Sequence, residues 1–298
     1  GAEYTIEYTV TDDCGQSASC TQTFTLNVAG PVITCPADLT VSCEDEITLD
    51  LGNEEPRIVI EANITDQAEI YTVLVSRTSD YFTPNKFNPE SGATVTITGD
   101  NGDTETLTET EAGIYQTAEL QGQQGVQYTL NVTTDNTTYT AIAKIPEIKL
   151  VIDSIELEFE EESLFQDEGI YPTVYYNDPA GVENYYQFIP LVNGEKFDFE
   201  RNNSEEESSI DDNFWITDDQ FSDGNLADFD FPFDLVSGDT VSVSLYHLDL
   251  RTYDYLRTLV GVLGGSGVAP TNPISNFNNE ALGYFGAYTV STMTKVVD

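Results

Sequence analysis

The stretch ATVTITGDNGDTETLT, residues 93–108, carries the clearest fold signal in the chain. Val95 and Ile97 alternate with threonines before the turn, and a period of two is typical of a strand with one buried face. Asn101-Gly102 supplies the positive φ angles of a tight turn. The stretch therefore predicts a β-hairpin.

The same period recurs on both sides of this hairpin, in RIVIEANIT (57–65), IYTVLVSRT (70–78), QYTLNVTT (127–134) and TYTAIAKIP (138–146). Short strands at this spacing, with turn signals between them, are typical of a β-sandwich of the immunoglobulin or transthyretin kind. We expect this domain to cover residues 44–146.

A second block of strand patterns follows in residues 147–298, in SIELEFEEES, YPTVYYNDP, NYYQFIPLVNGEK, DTVSVSLYHLD and GAYTVSTMTKVVD. One helix is predicted near residues 249–263, where Asp249 can cap the first turn and Leu250, Tyr253, Leu256, Val260 and Leu263 recur at helical spacing. Residues 201–234 are rich in Asp and Phe and read as irregular loops. The predicted fold class is all-β: a partial immunoglobulin-like hairpin, a sandwich, and a second β-rich domain with one short helix.

Charge narrows the choice of partners. The 298 residues contain 53 acids and 10 bases, which gives a formal net charge of −43. Nucleic acids and anionic lipid surfaces would be repelled by such a chain, so we expect neutral, cationic or metallic partners. No apolar stretch reaches the roughly 18 residues of a membrane span, and the first residues lack a signal-peptide pattern. We therefore expect either a processed chain or a piece of a longer one.

All four cysteines lie near the start, at Cys14, Cys20, Cys35 and Cys43. Their spacings differ from the short knuckles of structural zinc sites, so disulfides formed in an oxidising compartment are the favoured reading. Three connectivities are open. This clustering indicates that residues 1–43 form a separate unit.

The segments YTVTDDCGQSASCTQTFTLNV and PVITCPADLTVSC resemble the junction of two hyalin-repeat (HYR) modules, the immunoglobulin-like units of many Bacteroidota surface proteins. The resemblance covers about residues 3–43. Residues 1–29 would supply the last hairpin of one module, and residues 31–43 the opening of another.

From about Cys43 onward the chain resembles the Bacteroidota lipoprotein family called domain of unknown function 4249, through RIVIEANITDQ, YTVLVSRTSDYF, GVENYYQFIPLVNGE and NEALGYFGAY. The resemblance implies an outer-membrane lipoprotein, often encoded beside TonB-dependent receptors, with no established activity. Members begin at a lipidated cysteine, which Cys43-Glu44-Asp45-Glu46 resembles. The residues before Cys43 are polar, so we expect a disulfide there and not a lipid anchor.

Catalytic patterns are scarce in the sequence. His247 is the single histidine, and its place in SLYHLDL favours a structural role. No G-x-S-x-G elbow, phosphate-binding loop or H-E-x-x-H helix is present. Paired carboxylates can hydrolyse glycosides, but 53 acids produce such pairs by chance. We expect no enzymatic activity and no catalytic or cofactor-binding residues.

Calcium is the one ligand that the acids leave open. Hard oxygen donors concentrate in the predicted loops, where solvated surface acids are the favoured interpretation and a structural Ca²⁺ site is the alternative. The candidate ligands are Asp211, Asp212, Asp218, Asp219 and Asp223.

The first thirty residues carry the functional expectation. A two-stranded hairpin is marginal in water, so this segment should pair with something outside the larger domains. The leading hypothesis is a non-enzymatic cell-surface binding or adhesion module, outer-membrane associated, with other proteins or glycans as partners. The alternatives are an accessory lipoprotein of a TonB-dependent transporter and a fibre subunit that assembles by strand addition.

Overall fold

The computed structural model describes residues 3–11, 17–25, 32–33, 55–79, 87–162, 167–197, 215–263 and 273–298. The chain divides into two compact units, residues 1–53 and residues 54–298. Strands dominate both units, and the described residues contain one helix, so the predicted all-β class is confirmed.

The smaller unit is a three-stranded antiparallel sheet of β1 (Glu3–Thr11), β2 (Ser17–Thr25) and β3 (Val32–Ile33). The predicted hairpin is present as β1 and β2, which pair over nine residues each. Val32 and Ile33 pair with β2 of the same sheet, and the assignment of residues 31–43 to the opening of another module stays a prediction. Cys20 lies in β2, whereas Cys14, Cys35 and Cys43 lie outside the described residues, so the disulfides stay predictions.

The larger unit has one long sheet and two smaller ones. Its strands are β4 (Ile58–Thr65), β5 (Thr72–Arg77), β6 (Asn88–Pro89), β7 (Thr94–Gly99), β8 (Thr104–Thr106), β9 (Thr108–Glu111), β10 (Ile114–Gln116), β11 (Gln127–Thr134), β12 (Thr137–Lys144), β13 (Ile152–Glu160), β14 (Gly169–Asn177), β15 (Tyr185–Val192), β16 (Glu195–Lys196), β17 (Trp215–Asp218), β18 (Leu226–Asp230), β19 (Thr240–Leu248) and β20 (Leu282–Val296).

The long sheet has the order β16-β15-β19-β20-β4-β5-β10-β9, with β17 also paired to β15 and β6 to β5. Its neighbours are antiparallel except β20 and β4, which are parallel. Residues 282–288 of β20 pair with β4, and residues 288–296 pair with β19. One strand therefore joins the two halves of the sheet.

Two cover sheets pack on the long sheet and create two apolar cores. The first, β12-β11-β7-β8, brings Val95 and Leu130 against Ile60 and Val73 of the long sheet. The second, β13-β14-β18, brings Val174 against Phe188 and Val243. The burial alternates along these strands because successive side chains point to opposite faces. The domain boundary predicted at residue 146 stays a prediction, because residues on both sides of it, such as Ile60 and Phe285, share the first core within one compact unit.

Aromatic side chains fill the second core. The rings of Phe188 and Phe229 stack with centroids 4.4 Å apart, and Trp215 meets the edge of Phe231 at 5.2 Å. Part of the region predicted as loops is therefore ordered strand, in β17 and β18, because alternate phenylalanines of the FDFPF run turn inward. Residues 198–214 of that region lie outside the described residues.

The helix α1 (Leu250–Leu263) begins where predicted. Asp249 caps it, because its Oδ1 accepts a hydrogen bond of 3.0 Å from the backbone N of Thr252. Tyr255 and Leu256 are buried with Leu248 of β19, whereas Leu250, predicted to face the core, is 50% exposed. Within the described part of the chain, no helix has both the length and the apolar character that crossing a membrane requires.

Candidate functional site

Three carboxylates meet at one edge of the second core, and we call Asp178, Asp219 and Asp223 the carboxylate cluster. One oxygen of each lies within 4.8 Å of the others. Asp178 follows β14, Asp219 follows β17, and Asp223 precedes β18. Since β14 pairs with β18, and β17 with β15, sheet pairing brings these strand ends together.

Asp178 is 6% exposed and accepts three hydrogen bonds. The backbone N of Gly224 donates to its Oδ2 at 3.0 Å, while the hydroxyl of Tyr186 and the amide of Asn184 donate to its Oδ1. Burial raises the pKa of the Asp178 carboxyl, and the charges of Asp219 and Asp223 raise it further. Three hydrogen-bond donors therefore fix the Asp178 side chain, while burial and the neighbouring acids disfavour its charged form.

Asp219, which is 8% exposed, fixes the adjoining turn. Its Oδ2 accepts a hydrogen bond of 2.9 Å from the backbone N of Asn184, and its carbonyl accepts one of 3.0 Å from the backbone N of Asp223. Asp223 is exposed, and its Oδ1 accepts a bond of 2.6 Å from the backbone N of Gly181. The loops 178–184 and 219–225 are thus tied together by their own carboxylates.

Asn184 lies under the cluster and is 1% exposed. Its Nδ2 donates to the carbonyl of Val182 at 2.7 Å and lies 3.3 Å from Asp219 Oδ2 and 3.4 Å from Asp178 Oδ1. Its Oδ1 is buried without a hydrogen-bond partner. A buried amide that is satisfied on one side only is unusual, because leaving a polar atom unpaired costs about 1–3 kcal/mol.

The cluster has no cationic side chain among the described ion pairs. Those pairs join other acids, namely Glu90, Asp135, Glu147, Asp66 and Asp254, to lysine or arginine. Buried carboxylates are ordinarily paired with a cation or bound to a metal ion. The cluster is therefore a negatively charged site with two nearly buried aspartates and a third beside them. Among the described residues, its partners are hydrogen-bond donors and not cations.

His247 lies near the carboxylate cluster but hydrogen-bonds to a backbone carbonyl outside it. It is 5% exposed in β19, and its Nδ1 donates to the carbonyl oxygen of Ile148 at 2.9 Å. Its ring centroid is 6.0 Å from that of Tyr186. Burial lowers the pKa of the imidazole, against smaller effects of the Ile148 hydrogen bond and the Asp219 charge, which raise it. This geometry is that of a neutral core histidine.

The structure brings together two of the acids named from sequence, Asp219 and Asp223. Asp218 turns away, because its Oδ2 accepts a hydrogen bond of 3.0 Å from the hydroxyl of Tyr253 on α1. Asp211 and Asp212 lie outside the described residues. Sequence reasoning missed Asp178 and Asn184, although the turn-forming NDPAG between two aromatic strands is a signal that could have drawn attention to them.

Two exposed apolar side chains lie on the loops that carry the cluster. Phe221, between Asp219 and Asp223, is 93% exposed, and Val182 on the facing loop is 52% exposed. Neither residue was singled out from the sequence. By contrast, Tyr176 and Tyr186 of the neighbouring strands pack inward, at 2% and 0% exposure, whereas Tyr175 and Tyr185 are half-buried.

Comparison with known proteins identifies the family of this chain but does not indicate an activity. The model of the family described as Domain of unknown function (DUF4249) matches residues 44–294. No curated protein matches the chain.

Proposed function

Because the chain belongs to the DUF4249 family, we propose that it is a non-enzymatic binding module of the bacterial cell surface. We place its contact surface on the loops 178–184 and 219–225. The partner is another protein of the cell surface, and the partial HYR segment and the Bacteroidota outer-membrane lipoprotein setting are part of the proposal.

Phe221 carries this proposal. Its side chain is 93% exposed, yet its loop is held by the hydrogen bonds of Asp219 and Asp223 to the facing loop. A rigidly presented aromatic ring loses little conformational entropy on binding and is a typical anchor of protein interfaces. Val182 on the facing loop is a second exposed apolar side chain.

The position of His247 supports a non-enzymatic role. It is the single histidine of the chain, it is buried, and its Nδ1 donates a hydrogen bond to a backbone carbonyl oxygen. Nucleophile–histidine–acid chemistry requires an imidazole within reach of substrate. A carboxylate glycosidase would need no histidine, and a reducing-sugar assay over common polysaccharides tests for it directly. Release of sugar would contradict the proposal.

Photo-crosslinking tests the contact surface. A photoreactive phenylalanine analogue at position 221, introduced into the full chain and illuminated on intact producing cells, is expected to give one discrete protein adduct. The same analogue at Phe159, which is 62% exposed on β13, is the matched control and should give none. Equal adducts at both positions, or none at 221, would refute the proposed surface.

Two partners can be distinguished by the mass of that adduct. An adduct with an outer-membrane β-barrel would identify an accessory role beside a TonB-dependent transporter. Replacement of Phe221 with Ala should then weaken binding to the isolated partner by about tenfold or more, the typical effect of losing an interface anchor. Replacement of Phe159 with Ala should leave the affinity unchanged.

A fibre subunit is the second candidate, and β1 favours it. This strand has nine residues and pairs, among the described strands, with β2 alone. In this candidate function, a strand from a second copy adds to the other edge of β1. Negative-stain microscopy of the purified chain tests this candidate: regular filaments would support it, and separate particles would contradict it.

A further inference from the structure

We propose that the carboxylate cluster is a calcium site, in which Asp178, Asp219 and Asp223 bind one Ca²⁺ together with the side-chain oxygen of Asn184. The proposal concerns the cation alone and holds whatever partner meets the surface.

The charge of the site supports a cation. Asp178 and Asp219 are 6% and 8% exposed, and one oxygen of each lies within 4.8 Å of one from Asp223. The described ion pairs of the chain do not include these three residues. Two nearly buried anions at this separation repel each other strongly in a medium of low polarity, and a divalent cation between them would remove that repulsion.

Asn184 is the independent observation that points to a ligand. It is 1% exposed, its amide lies against two of the carboxylates, and its Oδ1 has no hydrogen-bond partner. Its Nδ2 has four oxygens within 3.5 Å, from Asp178, Asp219, Pro179 and Val182, but an amide has only two protons to donate. The pocket around this nitrogen is thus richer in oxygen than the amide can satisfy.

Rotation of the amide by half a turn would bring the unpaired oxygen to the oxygen-rich side. It exchanges Nδ2 and Oδ1, so that the oxygen faces the carboxylates. Without a cation this orientation is repulsive, and the structure accordingly has the nitrogen inward. With a cation the oxygen becomes a ligand beside the carboxylates and the nearby carbonyl of Val182.

The donor set selects calcium among the common metal ions. All the candidate donors are oxygens, from carboxylates, an amide and backbone carbonyls, which suit hard cations and not zinc. The donors come from two irregular loops, and Ca²⁺ accepts six to eight ligands in flexible geometry, whereas Mg²⁺ demands a near-ideal octahedron. The exposed Asp223 provides access from solvent.

Thermal unfolding of the full chain, first freed of metal with chelator, tests the site. Millimolar CaCl₂ is expected to raise Tm by about 5 °C, since binding to the folded state alone stabilises it by mass action. MgCl₂ at the same concentration and ionic strength should give less than half of that shift. No shift with CaCl₂ overturns the proposal, and an equal shift with MgCl₂ overturns the selectivity.

Terbium locates the site, because Tb³⁺ takes the place of Ca²⁺ and its emission is sensitised by nearby tyrosine. Tyr186 donates to Asp178 and lies beside the cluster. Excitation of tyrosine is expected to give Tb³⁺ emission that CaCl₂ abolishes by competition. Emission that CaCl₂ leaves unchanged would place the ion elsewhere and overturn the assignment.

Two variants complete the test. Asp223→Asn keeps an oxygen for the Gly181 hydrogen bond but removes one charge, and it should weaken Ca²⁺ binding at least tenfold. Asp228→Asn, which removes the same charge from an exposed position of β18, is the matched control and should bind as the wild type does. Equal binding by both variants would overturn the ligand assignment.

Asn184→Asp distinguishes a ligand from a structural amide. The added carboxylate should lower Tm without calcium and enlarge the Tm increase that calcium produces. A Tm lowered by the same amount with and without CaCl₂ would show that Asn184 is not a ligand.

Discussion

His247 is a single residue whose burial sets a pH dependence for the larger unit. Its folded-state pKa lies below the ordinary value of 6.5, chiefly because burial disfavours the imidazolium. As the pH falls through 6.5, the unfolded chain therefore takes up a proton that the folded chain refuses. The contribution of this group to folding is present above 6.5 and is lost as the pH falls towards the folded pKa.

The variant His247→Asn tests this dependence, because an Asn Nδ2 can replace Nδ1 as donor to the Ile148 carbonyl. Wild type should lose stability relative to the variant below pH 6.5, by at most about 1.4 kcal/mol per pH unit. Urea unfolding between pH 5 and 8 measures the difference. A difference that is constant over this range would show that His247 titrates alike in both states.

The sequence predicted only part of the carboxylate cluster. The density of Asp between residues 211 and 230 indicated an oxygen-rich region, and two of its members, Asp219 and Asp223, lie in the cluster. Asp178 and Asn184 come from a different strand connection. Their approach depends on which strands pair, and a period of two in the sequence does not encode pairing.

Among the elements, the pairing of β20 with β4 restricts the sequence most, and Gly283 is the position in β20 that leaves the least space for a side chain. Gly283 has a φ of +87°, and a Cβ there would lie 2.0 Å from the carbonyl oxygen of Ile60 on β4. The parallel pairing of β20 with β4 thus requires both the left-handed backbone and the missing side chain.

Gly283→Ala should therefore destabilise the larger unit by more than about 3 kcal/mol, from the strained φ together with displacement of β4. Gly102→Ala is the matched control. Gly102 has a similar φ of +96° but open space around its Cβ position, so only the backbone strain of about 1 kcal/mol applies. Chemical denaturation of both variants measures the difference, and equal effects would show that the approach to Ile60 is easily relieved.

Element prediction from sequence succeeded where the pattern was local. The hairpin around residues 99–104 and the helix after Asp249 follow from turn and cap residues, and both are present. The strands β17 and β18 were missed. Their short lengths and dense acids resemble loops, and their order depends on pairing with β15 and β14 and on Trp215 and Phe229, which pack against the second core.

At the scale of the whole molecule, the two cores of residues 54–298 share the long sheet, so they should unfold together. Leu130 is fully buried in the first core, while Trp215, the single tryptophan, lies against the second. Leu130→Ala should destabilise the unit by about 2–5 kcal/mol.

Because β20 pairs with strands of both halves, tryptophan fluorescence should report this loss at the same denaturant concentration as far-UV circular dichroism. Leu245→Ala in the second core is the matched control and should shift both signals equally. A Trp215 transition that Leu130→Ala does not move would show that the halves unfold independently.

The alternating pattern predicted a sandwich and a division at residue 146, and the structure places both cores on one long sheet. Strands were recognisable individually because each has one buried face. The joining of β20 to β4 was not, since the two strands lie at opposite ends of the unit and nothing local records their contact.

The position of β20 also bears on how the chain is made. A ribosome delivers β4 long before its partner segment 282–288, so the first half cannot complete its sheet during most of translation. The second half waits less, because β19 leaves the ribosome shortly before β20. We therefore expect the unpaired edge of β4 to be the site most exposed to wrong pairing during synthesis, since unpaired strand edges promote aggregation.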